Sequence, residues 1–143
     1  MLTIATWNVN SVRRRLSLCE RFAELTNADV LCLQETKCTE AAFPADVLAE
    51  LGYEYQAHAG QGGYNGVAIV SRLPLRNVKR HLHCERTDAR HISAEIALGS
   101  EPLTVHSIYV PAGGELPAPD RRHGQRHAGP AGADGVRDDP SGD

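Results

Sequence analysis

The sequence predicts an α/β fold, and three observations carry that reading. The first is a strand–helix–strand unit at the amino terminus. The second is a pair of polar clusters that open where its two strands end. The third is a later set of runs that alternate in the manner of half-buried antiparallel strands. Hydrophobic residues make up 41% and charged residues 23% of 143 positions, which is enough apolar material for one real core and one domain.

Leu2 to Trp7 alternates toward a strand and closes in Asn8-Val9-Asn10-Ser11. Ser11 is placed as the N-cap of a helix in which Val12, Leu16, Cys19, Phe22, Ala23 and Leu25 recur at helical spacing. Arg13, Arg14, Arg15, Glu20 and Glu24 take its opposite, solvated face, and Asn27 ends it in a left-handed cap. Val30 to Leu33 is a buried apolar strand that runs straight into Gln34-Glu35-Thr36-Lys37. Asn8 and Glu35 thus stand at the ends of two strands. If the strands are parallel neighbours, both residues face one crevice.

Glu35 in that position is either a solvated acid in a βα loop or a ligand for a hard divalent ion. Such an ion keeps several waters and needs only one or two carboxylates. Phe43-Pro44 opens a short helix carrying Val47, Leu48 and Leu51, and Gly52 ends it. Tyr53 to Ala57 and Gly66 to Ser71 are strands. Between them lies Gly60-Gln61-Gly62-Gly63-Tyr64-Asn65, which serves equally as a tight hairpin or as a loop whose amides approach a phosphate. After a turn at Leu73-Pro74-Leu75 come a polar strand, Arg76 to Leu82, then Ile92 to Leu98, then Leu103 to Tyr109. Tyr109, just before Val110-Pro111-Ala112-Gly113-Gly114, either presents its phenol to a crevice or plugs the core edge. His81-Leu82-His83 places two imidazoles on one strand. With no third ligand apparent, a half-exposed strand edge is the preferred reading over a metal site.

Net charge of −3 excludes a global basic footprint, so a nucleic-acid partner has to be held by a local patch or through a metal ion. Cys19, Cys32, Cys38 and Cys84 show no zinc-like spacing and read as reduced thiols of a cytoplasmic protein. No leader or membrane-spanning stretch is expected from the amino terminus, Met1-Leu2-Thr3-Ile4-Ala5. The character changes at residue 115. Residues 115–143 hold only Leu116 and Val136 as large aliphatics, and the segment is expected to be a disordered tail following a domain over 1–114. Its composition also resembles translation of a GC-rich gene in a shifted frame.

Several stretches taken together resemble a known family. They are Trp7-Asn8-Val9-Asn10-Ser11-Val12-Arg13, Leu33-Gln34-Glu35-Thr36-Lys37, Gly63-Tyr64-Asn65-Gly66-Val67-Ala68, Arg90 to Ile96, and Tyr109-Val110-Pro111-Ala112-Gly113. In order and spacing, over roughly residues 1–119, these resemble exonuclease III, the abasic-site endonuclease branch of the endonuclease/exonuclease/phosphatase superfamily. The resemblance implies the amino-terminal half of a four-layered α/β sandwich, with two sheets face to face and helices outside.

The implied activity is Mg²⁺-dependent hydrolysis of phosphodiesters (Mn²⁺ serving as a substitute) in double-stranded DNA, at abasic sites or from 3′ ends. No membrane and no protein partner are implied. Residue by residue, the resemblance makes Glu35 the metal ligand and Asn8 a catalytic residue beside metal and phosphate. It makes Tyr109 the catalytic tyrosine on the scissile phosphate, and it places Asn10, Tyr64 and Arg90 toward the DNA. The family's Gly-Asp-x-Asn and Ser-Asp-His segments do not occur in this sequence. The expectation is therefore a chain inactive by itself. The alternative is a non-catalytic fragment with at most weak metal or DNA binding, and a change of substrate to a phosphomonoester or a phospholipid headgroup is a further one.

Overall fold

The computed structural model describes residues 1–83 and 87–113. Its elements all belong to one compact unit, Met1–Val110. Gly114, the tail expected over 115–143, and Cys84 lie outside the described residues.

β1 (Ile4–Asn8) leads through a 3₁₀ turn (Arg13–Arg15) into α1 (Leu16–Thr26), and β2 (Val30–Gln34) follows. The helix begins later than its apolar period indicates, because the chain between β1 and α1 has other work. Asn10 and Ser11 take positive φ values of 44° and 85°, so Ser11 is not an N-cap, and among the described residues no side chain caps the 3₁₀ turn or α1. Asn27 ends α1 in the left-handed conformation as expected, its N–H donating to the Ala23 carbonyl.

A second 3₁₀ turn (Glu40–Ala42) and α2 (Ala45–Glu50) precede β3 (Tyr55–Ala59) and β4 (Val67–Ser71). The first sheet runs β1-β2-β4-β3, with β1 and β2 parallel and the other pairs antiparallel. The second sheet is a meander of β5 (Leu75–Arg80), β6 (His91–Leu98) and β7 (Glu101–Ile108).

The unbroken apolar runs of β2 and β4 are explained by burial on both faces. Leu31, Leu33, Ala68 and Val70 join Cys19 and Ala23 of α1 and Leu48 of α2 in one core. Val30, Cys32, Val67 and Ile69 face the other way, against Ile92, Ala94, Ile96 and Val105 of the second sheet. The described residues thus form helices, sheet and sheet in three layers. β2, β4 and β3 lie against strands of the second sheet, while Ile4, Thr6 and Asn8 on the second-sheet side of β1 are exposed. The outward face of the second sheet carries His91, Ser93 and Glu95 of β6, with His106 and Thr104 of β7 in register beside them.

Cys19, Cys32 and Cys38 are free and buried, and burial pushes the thiols of Cys19 and Cys32 up to about 11. They are core side chains rather than nucleophiles.

Tyr53 ties the first core together. Its ring is fully buried, its hydroxyl donates to the Ala28 carbonyl at 2.9 Å, and Arg72 lies over it at 5.2 Å. Arg72 in turn donates to Asn27 Oδ1 at 2.8 Å. Tyr53→Phe leaves a buried carbonyl unpaired and should cost about 1–2 kcal/mol. The measurement is a urea titration, in which the midpoint falls while the slope is unchanged.

Candidate active site

The site forms where β1 and β2 end side by side. The parallel ladder continues past both strands: Val9, Ser11 and Val12 donate to the carbonyls of Gln34, Glu35 and Thr36 at 3.0, 2.7 and 3.2 Å. On the other side, Thr36 and Lys37 donate to the carbonyls of Gly66 and Asn65 at 3.1 and 2.9 Å. The Glu35–Lys37 segment is therefore clamped between two loops.

That clamp holds strain. Of the seven non-glycine residues with positive φ among the described residues, five lie here: Asn10, Ser11, Glu35, Lys37 and Asn65. Such conformations cost on the order of 1–3 kcal/mol each and persist only where surroundings over-determine them.

The glycine-dense loop has a structural task as well as any contact with a ligand. A β-carbon at Gly66, whose φ is +95°, would collide with Thr36 Oγ1, and one at Gly60 would collide with the Cys38 carbonyl oxygen. Glycine at these two positions lets the β3–β4 hairpin press against the clamped segment. The same loop reaches the start of β6. Gly66 N–H donates to the Ala89 carbonyl at 2.8 Å, and Gln61 Oε1 accepts from Ala89 N–H at 2.7 Å.

Glu35 is the centre of the polar cluster. Asn8 Nδ2 donates to Glu35 Oε1 at 2.9 Å, and Lys37 Nζ lies 3.0 Å from Oε2. Lys37 also donates to Asn10 Oδ1 at 2.6 Å, and the Asn10 N–H donates to Asn8 Oδ1 at 3.2 Å. The hydrogen bonds from Asn8 and then Lys37 hold the Glu35 carboxyl below its ordinary range, so it is ionised at neutral pH. Tyr109 faces it. Burial, and then the Glu35 carboxylate, push the phenol above its ordinary value, so it stays protonated and able to donate.

Tyr109 reaches Glu35 because the two sheets are tied together two residues earlier on each strand. Ser107, 1% exposed, donates to the Leu33 carbonyl at 3.1 Å and accepts from Gln34 Nε2 at 3.1 Å. Tyr109 N–H also donates to the Arg90 carbonyl at 2.8 Å, which brings Arg90 beside it. Arg90 is paired with Asp88 at 3.0 Å, and its buried Nε has no partner among the described residues.

The sequence-expected residues Asn8, Asn10, Glu35 and Tyr109 are thus brought together, with Arg90 adjoining. Tyr64 stands out into solvent on the glycine loop. Two sets of residues were missed from sequence. Ser107 is one. The other is Arg13, Arg14 and Arg15, read as the solvated face of a helix. With Asn10, Ser11, Lys37 and Gly63 they instead line a cleft of about 330 Å³. The available signal was their adjacency to the Asn-x-Asn-Ser turn.

The donor set suits a hard divalent cation. Glu35 offers carboxylate oxygens and Asn8 a carboxamide oxygen, the atom types magnesium takes. The Lys37 ammonium against Oε2 marks that a positive charge is accommodated there. In the present arrangement Asn8 gives its nitrogen to Glu35, orienting that carboxylate.

The chain belongs to the endonuclease/exonuclease/phosphatase family, whose model matches residues 5–140. It is 34% identical over 110 residues to exodeoxyribonuclease III of Haemophilus influenzae, which covers 76% of this chain and 41% of that protein. Among solved structures it is similar to a 3′ phosphatase from Neisseria bound to a product DNA hairpin. That match has a TM-score of 0.64 at 36% identity and covers 68% of this chain and 38% of the other. It is similar also to an AP endonuclease from Archaeoglobus fulgidus, with a TM-score of 0.63 at 40% identity over 68% of this chain and 38% of that one. The chain therefore spans well under half the length of each of these relatives, and over that part the fold is theirs.

Two outcomes follow from the geometry. Asn8→Ala should raise the Glu35 pKa, read from the carboxyl carbon resonance during a pH titration. In the parent the lowered pKa contributes stability that is present above the unfolded value of about 4.3 and is lost as pH falls through the folded value. In the variant the contribution is smaller and its acid-side loss is complete at a higher pH. Ser107→Ala should cost about 1–3 kcal/mol by leaving buried polar groups unpaired. It should also return the Tyr109 pKa toward its ordinary value, read from phenolate absorbance, because Tyr109 then drifts from Glu35.

Proposed function

We propose that this chain carries the metal- and phosphate-binding part of a DNA-repair nuclease site. The site hydrolyses phosphodiesters with Mg²⁺ in double-stranded DNA, at abasic sites or from 3′ ends. The observation that carries the reading is the convergence of Asn8, Glu35 and Tyr109 beside a cleft lined by Arg13, Arg14, Arg15 and Lys37. The resemblance to exodeoxyribonuclease III and to an AP endonuclease supports it.

When bound, the divalent ion neutralises charge building on the phosphate oxygens and eases departure of the leaving oxygen. Glu35 would hold it, already ionised and oriented by Asn8. Lys37, displaced from Glu35 by the ion, would be free to pair with phosphate. The Tyr109 phenol, protonated at neutral pH, donates to an oxygen of the scissile phosphate in a partly dry site. The three arginines supply the local basic patch that a chain of net charge −3 requires for binding a polyanion. Asn10, beside Lys37, and Arg90, beside Tyr109, flank the phosphate position, and Tyr64 stands free to stack on an exposed base.

These groups bind and polarise the substrate, but none is a base for the attacking water. By the resemblance, that role belongs to the Asp of the Gly-Asp-x-Asn segment, and the His of the Ser-Asp-His segment engages the phosphate; neither segment occurs in this sequence. Such groups act as a unit, so the 143-residue chain alone should turn over several orders of magnitude more slowly than a complete site.

The test uses the purified chain with abasic and 3′-phosphate duplexes in Mg²⁺. Binding, followed by fluorescence anisotropy, should weaken as salt rises and should weaken again in Arg14→Ala. Incision should not exceed that of Glu35→Ala. Incision above that control overturns the claim that the chain is inactive alone, and binding indifferent to salt and to Arg14 sinks the DNA reading.

A further inference from the structure

We propose that His81, His91 and His106 form a binding site for a divalent transition-metal ion of the zinc class, on the outward face of the second sheet and separate from the Glu35 cluster. Each of the three offers a ring nitrogen, and the three atoms all lie within 4.8 Å of one another. Three imidazoles around a zinc ion at about 2.0–2.1 Å stand roughly 3.3 Å apart, so modest side-chain rotation brings this trio to ligating distance. Nitrogen ligands of this kind select zinc, copper, nickel or cobalt over magnesium, which takes oxygen.

The sheet register builds the trio. Ser93 is paired with His106 and His91 with Ile108, so His91 and His106 are diagonal neighbours on one face. Their rings meet edge to edge, with His91 Nε2 2.8 Å from His106 Nδ1. His81 comes from the end of β5, where its N–H donates to the His91 carbonyl at 3.0 Å. Its ring stacks on that of His91 with centroids 4.0 Å apart. Of the isolated His81-Leu82-His83 pattern only His81 is a ligand, and these contacts supply the other two, His91 and His106.

The surrounding groups orient the ligands in the way metal-bound histidines are usually held. Ser93 Oγ lies 2.7 Å from His81 Nε2 and fixes that ring. His83 Nε2 lies 2.9 Å from His91 Nδ1, so His91 keeps Nε2 for the ion while its other nitrogen is engaged. The exposed position of His106 leaves a fourth coordination position to water or to another ligand. A bound ion would clip His81, just beyond the end of β5, to β6 and β7.

The experiment uses the full chain without a histidine tag, stripped with a chelator and titrated with Zn²⁺ by calorimetry and with Co²⁺ by visible absorption. One equivalent is expected, with cobalt bands of nitrogen ligation. Binding should survive Glu35→Gln unchanged and should not be competed by millimolar Mg²⁺. His83→Ala, which removes only an orienting partner, should weaken Zn²⁺ by about 10-fold, and His106→Asn by more. The thermal midpoint should rise with Zn²⁺ in the parent and not in His106→Asn. Equal Zn²⁺ affinity in parent and His106→Asn, or loss of binding in Glu35→Gln, overturns the proposal. If His106→Asn does not fold, the imidazole ¹⁵N resonances of the parent decide. Zn²⁺ shifts centred on His81, His91 and His106 support the site, and shifts elsewhere or none overturn it.

Discussion

The hydroxyl of Ser107 is the contact on which the site depends. Two sheets pressed together by apolar side chains can slide, because hydrophobic contact has no direction. A buried hydroxyl that donates to the Leu33 carbonyl and accepts from the Gln34 amide does have one. It fixes β7 along β2 at a single register. Because Glu35 and Tyr109 each follow that contact by two residues, a fixed register is what makes them face one another.

The second constraint is the clamp on the Glu35–Lys37 segment. Left-handed backbone at Glu35 and Lys37 is unfavourable, yet it turns both side chains toward the same space beyond the sheet. The parallel ladder from Val9 to Val12 on one side and the Asn65–Gly66 carbonyls on the other compensate for it. Glycine at positions 60 and 66 allows the hairpin close enough to do so. The strain and the glycines are two halves of one arrangement, and both are local to the chemistry.

How much of this was legible differs from residue to residue. Asn8 and Glu35 could be placed from sequence because strand–helix–strand units bring strand ends to one side of a sheet, and the pairing of β1 with β2 is indeed parallel. The strands of both sheets were legible, β5 as a polar strand and the others from their apolar patterns, with ends displaced by up to two residues. The arginines were not, because Arg13 to Arg15 fit the polar face of a helical period that starts at Val12, while the backbone there bends through Asn10 and Ser11 instead. Ser107 could not be singled out, since a small polar residue in an alternating strand carries no signal of a partner on another sheet. The histidine cluster was invisible for a related reason. His91 and His106 lie on two strands and His81 just beyond the end of a third, and they are brought together by the β6–β7 register and the His81 N–H bond to the His91 carbonyl.

The site straddles the boundary between the two sheets, with Glu35 on one and Tyr109 following the other. A molecule that touches both is recognised only by the closed sandwich. Its binding free energy and the free energy holding the sheets together are then linked quantities, each raising the other by mass action. Occupancy of the site therefore acts as a clasp. The ligand's concentration becomes one of the variables that set the cohesion of the fold, and any change that loosens the sheets appears first as weakened affinity.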